Sequence, residues 1–410
     1  QANYYWTLFD DFQLVYQGQS TDAYAPVIEN LIVQAQNVGQ GDEDIMTTEA
    51  NDRIDQAILA GQNAIEGGTV DDCIAAIETL REAITFAENT LVETKKLVEE
   101  YQVMVDYRYS DVNLVSTEEN FPTLIETIGQ TIEDQNIKDL AEVESIRQQM
   151  KAGFTAYVMY DIKDGATEEE PADITAVIYN PDYQNYGISE SSNLSGWEVE
   201  GNAGFNGTSA EFFNQSFSMT QTIYNLAKGY YVLTLPGYYR DGEFAEVETI
   251  LNTEGGAETK RVSFFAGDAK TKLLPISYNM AEYSDMNPEG GSIVVGEEQF
   301  YVPNTMAQGV IAFENELYVN KLQFEVAEDG TDVVIGLSKE ETVTNDWTMF
   351  GQWKLEYIGT AVPTEDPTTQ IAGVEAEAPV KVAIFNLAGQ RVSKAVKGIY
   401  IVNGKKVVIK

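Results

Sequence analysis

The sequence predicts a multidomain protein of α plus β class, with an antiparallel helical bundle first, a β-sandwich second and a small all-β module at the C-terminus. Apolar residues recur three and four apart from about residue 21 to 165, as on one face of a helix. Beyond residue 171, short β-prone runs are separated by Gly, Pro and Asn/Asp clusters, which is typical of an antiparallel sandwich. Residues 371–410 carry seven Lys and Arg against two acids, which marks a separate module.

Composition excludes several functional classes. The 410 residues hold 66 Asp and Glu against 25 Lys and Arg, a net charge of −41, so nucleic acid and anionic lipid are poor partners. The chain has no His, which excludes Ser-His-Asp and Cys-His nucleophilic sites and His-ligated zinc. Its single Cys73 excludes an internal disulfide, and we expect this residue to be a small buried side chain.

The helical region predicts three or more antiparallel amphipathic helices in a bundle. A first stripe contains Val27, Ile28, Leu31, Ile32 and Ala35, and a second ends at Gly67-Gly68. The third and longest seam runs from 77 to 101, and Thr69 with Asp72 predicts its N-terminal cap. Ser116 and Glu119 form a capping box for another helix, and 137–160 continues the pattern. Aliphatic seams of this spacing predict a packed bundle rather than a cofactor site.

The β-rich region contains at least seven strand-like runs, with no helix predicted between them. These runs are residues 175–179, 230–235, 262–265, 292–295, 317–326, 333–337 and 353–358. Trp197 and Trp353 are expected in the sandwich core. In the tail, Asn403-Gly404 predicts a hairpin that joins 399–402 to 405–409.

These patterns predict five segments. Residues 1–18 are a closing β-strand, 19–166 a helical spacer, 167–362 the sandwich, 363–370 a linker and 371–410 the C-terminal module. The first assignment rests on a repeat, because Trp6-Thr7-Leu8-Phe9 recurs as Trp347-Thr348-Met349-Phe350. If the later copy closes the sandwich, the earlier copy closes another sandwich upstream, so we expect the chain to be part of a longer array.

The tail resembles the C-terminal sorting domain of type IX secretion in Bacteroidetes. The resemblance rests on Asn386-Leu387-Ala388-Gly389-Gln390-Arg391-Val392 and Lys397-Gly398-Ile399-Tyr400-Ile401-Val402. It covers about the last tenth of the chain. It implies export across the outer membrane, often with attachment to the cell surface and removal of the domain.

The β region resembles galactose-binding-like jelly-roll modules found in surface proteins of gut Bacteroidetes. The matching stretches are residues 173–181, 196–199, 229–234, 237–240, 301–306 and 345–350. The resemblance implies a jelly roll that binds carbohydrate through loops at one end or through a sheet face, in some members with a structural calcium ion.

A sugar site needs a flat aromatic face and a few amide, carboxylate or Arg groups for the hydroxyls. The candidate ligand-binding residues are Tyr239, Arg240, Asp241, Tyr283, Asn304, Asn345, Asp346 and Trp347. Packing is the alternative for each of them. Asn and Asp in turns often only stabilise the turn, and Arg240 has many acidic residues with which it could form an ion pair. Trp347 recurs as Trp6, which favours a packing role for this residue.

We therefore expect a secreted, non-catalytic protein at the outer-membrane surface that captures a glycan, with no cofactor and no direct membrane insertion. An adhesin-like or structural scaffold that contacts host or bacterial surface protein is the alternative. A glycosidase working with two carboxylates is a more remote one, because that chemistry needs no His. A structural calcium ion is compatible with the excess of acids, although residues 41–44 lack the ligand alternation of an EF-hand.

Overall fold

A computed structural model of the chain describes residues 20–41, 43–109, 120–160 and 162–368, together with the backbone of four strands between 384 and 409. It divides into two compact units, Gln1–Tyr160 and Asp161–Lys410. The predicted closing strand at 1–18 and the capping box at Ser116 and Glu119 lie outside the described residues. The predicted fold class is confirmed: a helical region precedes antiparallel sheets in a sandwich-like arrangement.

The first unit is built from long helices. They are α1 (Ala25–Asn37), α2 (Thr48–Gly67), α3 (Val70–Val103), α4 (Asn120–Glu133) and α5 (Leu140–Tyr160), and a π-helical turn, Met104–Arg108, follows α3. As predicted, α2 ends at Gly67, and Thr69 and Asp72 form a reciprocal capping box at the start of α3. Cys73 is fully buried, as expected.

The core of this unit lies between α1, α2 and α3. Its buried members include Ile28, Leu31 and Ala35 of α1 and Leu80 of α3. Val27, which belonged to the predicted stripe, is 42% exposed, because it lies in the first turn of α1 at the edge of the apolar face. The spacing of apolar residues therefore predicts the buried face of α1 correctly, except at Val27 on the edge of that face.

The sandwich of the second unit is made of two mainly antiparallel sheets. The larger is made of β1 (Ala172–Asp173), β3 (Gly204–Asn206), β4 (Ser209–Phe213), β6 (Gly229–Arg240), β9 (Leu274–Pro275), β12 (Val319–Val326), β14 (Trp347–Phe350) and β15 (Lys354–Tyr357). The smaller has the order β2 (Glu198–Glu200), β5 (Phe217–Leu226), β13 (Thr331–Lys339), β7 (Ser263–Ala266) and β8 (Ala269–Lys272). One short parallel contact, between β6 and β9, interrupts the antiparallel pattern.

The two sheets pack face to face around aromatic side chains. The ring of Phe212 on β4 stacks on Phe217 of β5, with centroids 4.1 Å apart. The predicted core residues Trp197 and Trp353 are both buried and lie 4.9 Å apart, which confirms their structural role. Phe264 of β7 packs on Trp353 at 5.8 Å, so the indole joins the layers.

The expectation that no helix lies between the strands is wrong. Three helices, α6 (Phe244–Asn252), α7 (Met280–Met286) and α8 (Met306–Glu314), and a hairpin, β10 (Gly291–Val295) with β11 (Glu298–Val302), follow β6 in the chain. They form a third layer on the outward face of the larger sheet. That face carries Tyr238, Trp347 and Met349, and its apolar surface needs this cover.

Close approach of α8 to this sheet depends on Gly309. A Cβ atom at this position would lie 2.2 Å from the sulfur of Met349. Glycine therefore lets the helix backbone contact β14 directly.

The predicted strand at 175–179 is also wrong, because residues Thr175–Val177 form a 3-10 turn. The Asp173 carboxylate accepts a hydrogen bond from the Thr175 N–H at 2.8 Å, and the Gln221 side-chain oxygen accepts one from Tyr179 N–H at 2.7 Å. Side chains thus accept hydrogen bonds from backbone N–H groups that, in a strand, would bond to a neighbouring strand.

Strand β6 changes partners halfway along its length. Residues 229–236 pair with β12, whereas 238 and 239 pair with β9. The buried amide of Asn320 joins the two halves: its nitrogen donates to the carbonyls of Leu235 at 3.0 Å and Gly237 at 2.8 Å, and its oxygen accepts from Leu274 N–H at 2.9 Å. This side chain sets the path by which β6 reaches its C-terminal end.

The tail forms a separate four-stranded antiparallel sheet. It consists of β16 (Ile384–Asn386), β17 (Arg391–Val392), β18 (Gly398–Val402) and β19 (Lys405–Ile409), in the order β17-β16-β18-β19. The pairing of β18 with β19 confirms the predicted hairpin.

Replacing Asn320 by Ala should lower the free energy of unfolding of the sandwich by about 3 kcal/mol, because buried carbonyls and an N–H lose their partner. Denaturant titration measures the change. Asn206→Ala, at an exposed position on β3, should change stability by less than about 0.5 kcal/mol. Equal effects of the two substitutions would contradict this role of Asn320.

Candidate functional site

Four loops meet at one end of the sandwich, and we call their residues the loop rim: 213–214, 241–243, 277–278 and 345–346. The registers of β4, β14 and β6 place Phe213, Trp347 and Arg240 in one row across adjacent strands. Strand β9 runs parallel to β6, so the residues that follow it lie at the same end. Three strand spacings of about 4.8 Å give the rim a width of about 14 Å.

A buried ionic network closes the sandwich below the rim. Lys339, on the inward face of β13 in the smaller sheet, forms an ion pair with Asp346 of the larger sheet, and both side chains are almost fully buried. The Tyr239 hydroxyl lies 3.0 Å from Asp346 and 3.1 Å from Asp241 and donates to one of these carboxylates at a time. Arg261 completes the network with a 2.9 Å contact to Asp241.

Burial controls the electrostatics of this network. It raises the pKa of Asp346 above its ordinary value, although the Lys339 ammonium opposes the shift. Within the described residues the Oδ1 atom of Asp346 is buried and accepts no hydrogen bond. Burial together with the two nearby carboxylates also raises the pKa of the Tyr239 phenol, so this hydroxyl remains a donor at neutral pH.

Glu258 connects two loops of the rim from below. Its carboxylate accepts hydrogen bonds from the N–H of Asp241 at 3.5 Å and the N–H of Ser277 at 3.2 Å, and it also contacts the Ser277 hydroxyl. Burial raises the pKa of Glu258 to about 7. This group therefore changes charge near neutral pH while it holds the loops that follow β6 and β9.

Arg240 ties the loop after β6 to the loop before β14. Its guanidinium lies over the rings of Phe244 at 4.6 Å and Trp347 at 5.4 Å. Its Nε–H donates to the carbonyl of Gly242 at 2.8 Å, and its Nη2 donates to that of Asn345 at 3.0 Å. Stacking and hydrogen bonds on both sides hold this charge in place.

The polar groups at the top of the rim hold one another in place. The Asn345 side-chain nitrogen donates to Glu243 at 2.6 Å, and its backbone N–H donates to the Asn214 side chain at 3.1 Å. Asn214 and Asn345 both have positive φ, near 55° and 60°, a conformation that Asn tolerates better than most residues. The loops are thus shaped by local chemistry and present amide and carboxylate groups at the surface.

An exposed aromatic side chain stands at each end of this polar row. Phe213, at the end of β4, is 48% exposed, and Tyr278, after β9, is 56% exposed. The rim therefore combines hydrogen-bonding groups in its centre with apolar rings at its margins.

The structure brings together six of the eight predicted site residues: Tyr239, Arg240, Asp241, Asn345, Asp346 and Trp347. The rings of Tyr239 and Trp347 are buried and offer no open face for stacking. Tyr283 and Asn304 lie elsewhere: Tyr283 is fully buried in α7 of the third layer, and Asn304 precedes α8 and contacts Gln308.

Sequence reasoning missed the cations of the network and the exposed rings. Lys339 carried a usable signal, because it follows Val333, Ile335 and Leu337 at alternate, inward positions of β13. A Lys at such a position predicts a buried ion pair. Phe213 and Tyr278 carried no such signal, since a single aromatic residue next to a turn is common.

Two global features bear on the site. Among the described residues, no helix has the length and apolar character required to cross a bilayer. Across the same residues, no group of three or more Cys, Asp or Glu side chains is arranged to hold a metal ion.

Comparison with known proteins yields no family. No family model and no curated protein matches the chain. Among solved structures, one match is the carbohydrate-binding module TmCBM61 in complex with β-1,4-galactotriose. The match has 13% sequence identity and a TM-score of 0.22, and it covers 43% of this chain and 95% of that chain. A TM-score this low does not establish a common fold.

Replacing Glu258 by Gln should stabilise the protein increasingly as pH rises. The folded pKa of about 7 lies above the ordinary 4.5, so stability falls between these values as the unfolded chain releases a proton that the folded chain keeps. The Gln variant lacks this loss. Its stability relative to the native chain should rise by about 2.5 kcal/mol between pH 5 and 8, measured by denaturant titration.

A constant difference between the Glu258→Gln variant and the native chain at both pH values would contradict the raised pKa. A lost hydrogen bond to Ser277 would appear as such a constant offset.

Lys339→Met should cost about 3–5 kcal/mol of folding free energy, because it leaves the Asp346 carboxylate buried without its cation. The double variant Lys339→Met with Asp346→Asn removes both charges and should recover more than about 1 kcal/mol of this loss. Denaturant titration of the four proteins measures the coupling. Additive losses would mean that the two groups do not interact.

Proposed function

We propose that the sandwich is a carbohydrate-binding module whose ligand lies along the loop rim. The observation that carries the proposal is the arrangement of Phe213 and Tyr278 at the two ends of a row formed by Asn214, Glu243 and Asn345. An aromatic face takes the apolar side of a sugar ring, and amides and carboxylates take its hydroxyls. The strands β4 and β9, whose ends carry or precede the two rings, are about 14 Å apart, a width that suits an oligosaccharide longer than one sugar.

The buried network supports this proposal because it makes the rim rigid before a ligand binds. Arg240 holds the backbone of Gly242 and Asn345, and Glu258 holds that of Asp241 and Ser277. Loops that are already ordered lose little conformational entropy on binding. Sugar binding gains little free energy per hydroxyl, so this preorganisation matters.

The predicted site residues divide into two roles under this proposal. Asn345, half-buried at the surface, contacts the ligand. Tyr239, Arg240, Asp241, Asp346 and Trp347 are positioning residues that fix the loops from below. Tyr283 and Asn304 lie in the third layer and belong to its packing.

We further propose that the protein acts without catalysis. Asp241 and Asp346, which share the Tyr239 hydroxyl, are both buried and are bound to Arg261 and Lys339. A glycosidic bond cannot reach two carboxylates that already hold cations inside the sandwich, whereas a glycosidase needs both at the substrate. This supports a binding role over the carboxylate-only glycosidase.

Export to the outer-membrane surface is part of the same proposal. Its support is the resemblance of the tail to sorting domains of type IX secretion, together with the separate antiparallel sheet that the tail forms. In this arrangement the helical unit acts as a spacer and the sandwich faces the medium.

Adhesion to a protein partner is the second candidate function. Exposed aliphatic side chains on the helices favour it: Val33, Leu59 and Val92 are each more than half exposed. Such side chains suit contact with another protein better than contact with a sugar.

The test is binding of the full chain to a panel of neutral and acidic glycans, with and without calcium, followed by calorimetry with each ligand found. Phe213→Ala and Tyr278→Ala should each weaken binding by about tenfold or more. Tyr160→Ala, which removes an exposed aromatic ring of the helical unit, is the matched control and should leave affinity unchanged.

Two results would overturn the site or the function. Glycan binding that survives both rim substitutions would move the site elsewhere. A folded chain that binds no glycan of the panel would favour the adhesin function.

A further inference from the structure

The outward face of the smaller sheet is rich in side-chain hydroxyl groups. In β13, Val333, Ile335 and Leu337 point inward, so the residues between them point outward. Strand registers continue this alternation across all five strands. The outward residues are half-buried or exposed, apart from Gly336 and Ser263.

Two rows of side chains cross this face in register. The first row is Glu198, Thr220, Gly336, Phe265 and Lys270, and the second is Glu200, Ser218, Ser338, Ser263 and Lys272. Both rows begin with a Glu on β2 and end with a Lys on β8. The face is therefore acidic along one edge and basic along the other.

The basic edge is unusual in this chain. Residues 260–272 contain Lys260, Arg261, Lys270 and Lys272 against one acid, Asp268, although the whole chain has a net charge of −41. Arg261 is paired with Asp241 and Glu341, so the lysines carry the positive charge of this edge. Lys272 is held along β7, where its ammonium donates to Ser263 Oγ and to the carbonyl of Arg261, each at 3.0 Å. The positive charge at this edge thus has a fixed position.

The centre of the face is apolar. The ring of Phe265 lies over Gly336, since a Cβ atom at that glycine would be 2.9 Å from the ring. Val334, on the same strand, is 42% exposed. An apolar centre within a hydroxyl-bearing and charged surround is the usual composition of a protein interface.

We propose that two copies of this chain associate through this face, about a two-fold axis that runs along β13. Such an axis exchanges the two sides of the sheet while it keeps position along the strands. It places Lys270 over Glu198 of the second copy and Lys272 over Glu200 of the second copy. The same operation repeats both pairs on the other side, so the face is complementary to itself.

The distances allow this contact. Sheets that pack face to face lie about 10 Å apart, a gap that the side chains of Lys270 and Glu198 together can bridge. Lys272 keeps its bonds to Ser263 and to the Arg261 carbonyl, so it attracts Glu200 of the second copy across the gap without direct contact. Phe265 leans toward the axis in both copies, so the two rings meet at the centre. Five strands about 4.8 Å apart and three rows of side chains cover on the order of 400 Å² per copy, which is the size of a weak, transient dimer.

Charge complementarity favours a second copy over other occupants. A uniformly charged partner would be attracted by one edge of the face and repelled by the other. A rotated copy meets opposite charge at both edges. Charged residues on edge strands can also serve only to prevent pairing with other chains. In that case the protein would be a monomer, which is one outcome of the test.

Sedimentation equilibrium of the full chain over a wide concentration range tests the dimer at physiological ionic strength. The native chain should show a monomer–dimer equilibrium. Lys270→Glu with Lys272→Glu makes both edges of the face acidic, and Glu198→Lys with Glu200→Lys makes both edges basic. Each double variant should dimerise at least tenfold more weakly, while circular dichroism shows a folded chain.

An equimolar mixture of the two double variants should form a heterodimer, because each Glu of one face then meets a Lys of the other. The fourfold exchange in one chain should restore the homodimer. As a matched control, Lys95→Glu with Lys163→Glu makes the same change in net charge at exposed positions that are not part of this face and should weaken the dimer less than threefold.

Val334→Asp identifies the mode of association. It places a charge at the centre of the face and should weaken the dimer at least tenfold, whereas an edge-to-edge contact between β8 and β2 would be unaffected. A monomer at every concentration, a dimer indifferent to both charge reversals, failure of the mixture to associate, or a dimer insensitive to Val334→Asp would each overturn the proposal.

Discussion

The ion pair between Lys339 and Asp346 is the interaction on which the functional end of the sandwich depends. It is the point where the smaller sheet contacts the larger one beneath the loops, and it lies out of contact with water. A buried pair of this kind adds little net stability compared with apolar packing, but it permits only one relative position of its partners. Tyr239 contacts both Asp346 and Asp241, and Arg261 also binds Asp241. These contacts fix Asp241, and with it the loop after β6.

The third layer decides which surfaces of the sandwich remain open. Helices α6 to α8 cover the outward face of the larger sheet, where Tyr238, Trp347 and Met349 would otherwise meet solvent. This layer leaves the loop rim and the outward face of the smaller sheet uncovered, and these are the two proposed binding surfaces. The two surfaces have different chemistry, since one has aromatic rings at its ends and the other has opposite charges at its edges.

Much of the fold could be predicted because its elements follow local periodicity. The buried face of α1, the cap formed by Thr69 and Asp72, and the tail hairpin each depend on residues a few positions apart. The strand expected at 175–179 is wrong because the Asp173 side chain takes the Thr175 N–H, and because Gln221, more than forty positions away in sequence, takes that of Tyr179. The third layer was missed because α6 and α8 are nine residues long and α7 seven, shorter than the helices that periodicity reveals best.

The candidate site was predicted in part for the same reason. Asn345, Asp346 and Arg240 lie beside turns, where polar residues attract notice, and the structure brings them together. Whether a side chain there faces a ligand or the interior depends on the opposite sheet. Tyr239 could be assigned to the interior only once Lys339 and Asp346 were seen to lie next to it.

The divided pairing of β6 has a consequence for the order in which the protein folds. Its first half pairs with β12, but its other edge pairs with β14 and β15, which lie more than a hundred residues later in the chain. Because synthesis starts at the N-terminus, one edge of β6 stays unpaired until residue 357 has been made. Contacts of such long range form slowly, and an open apolar strand invites pairing with another chain in the meantime. A cell that makes this protein has to keep that strand from other chains during the interval, so yield on expression should depend on chaperone supply more than the stability of the finished sandwich suggests.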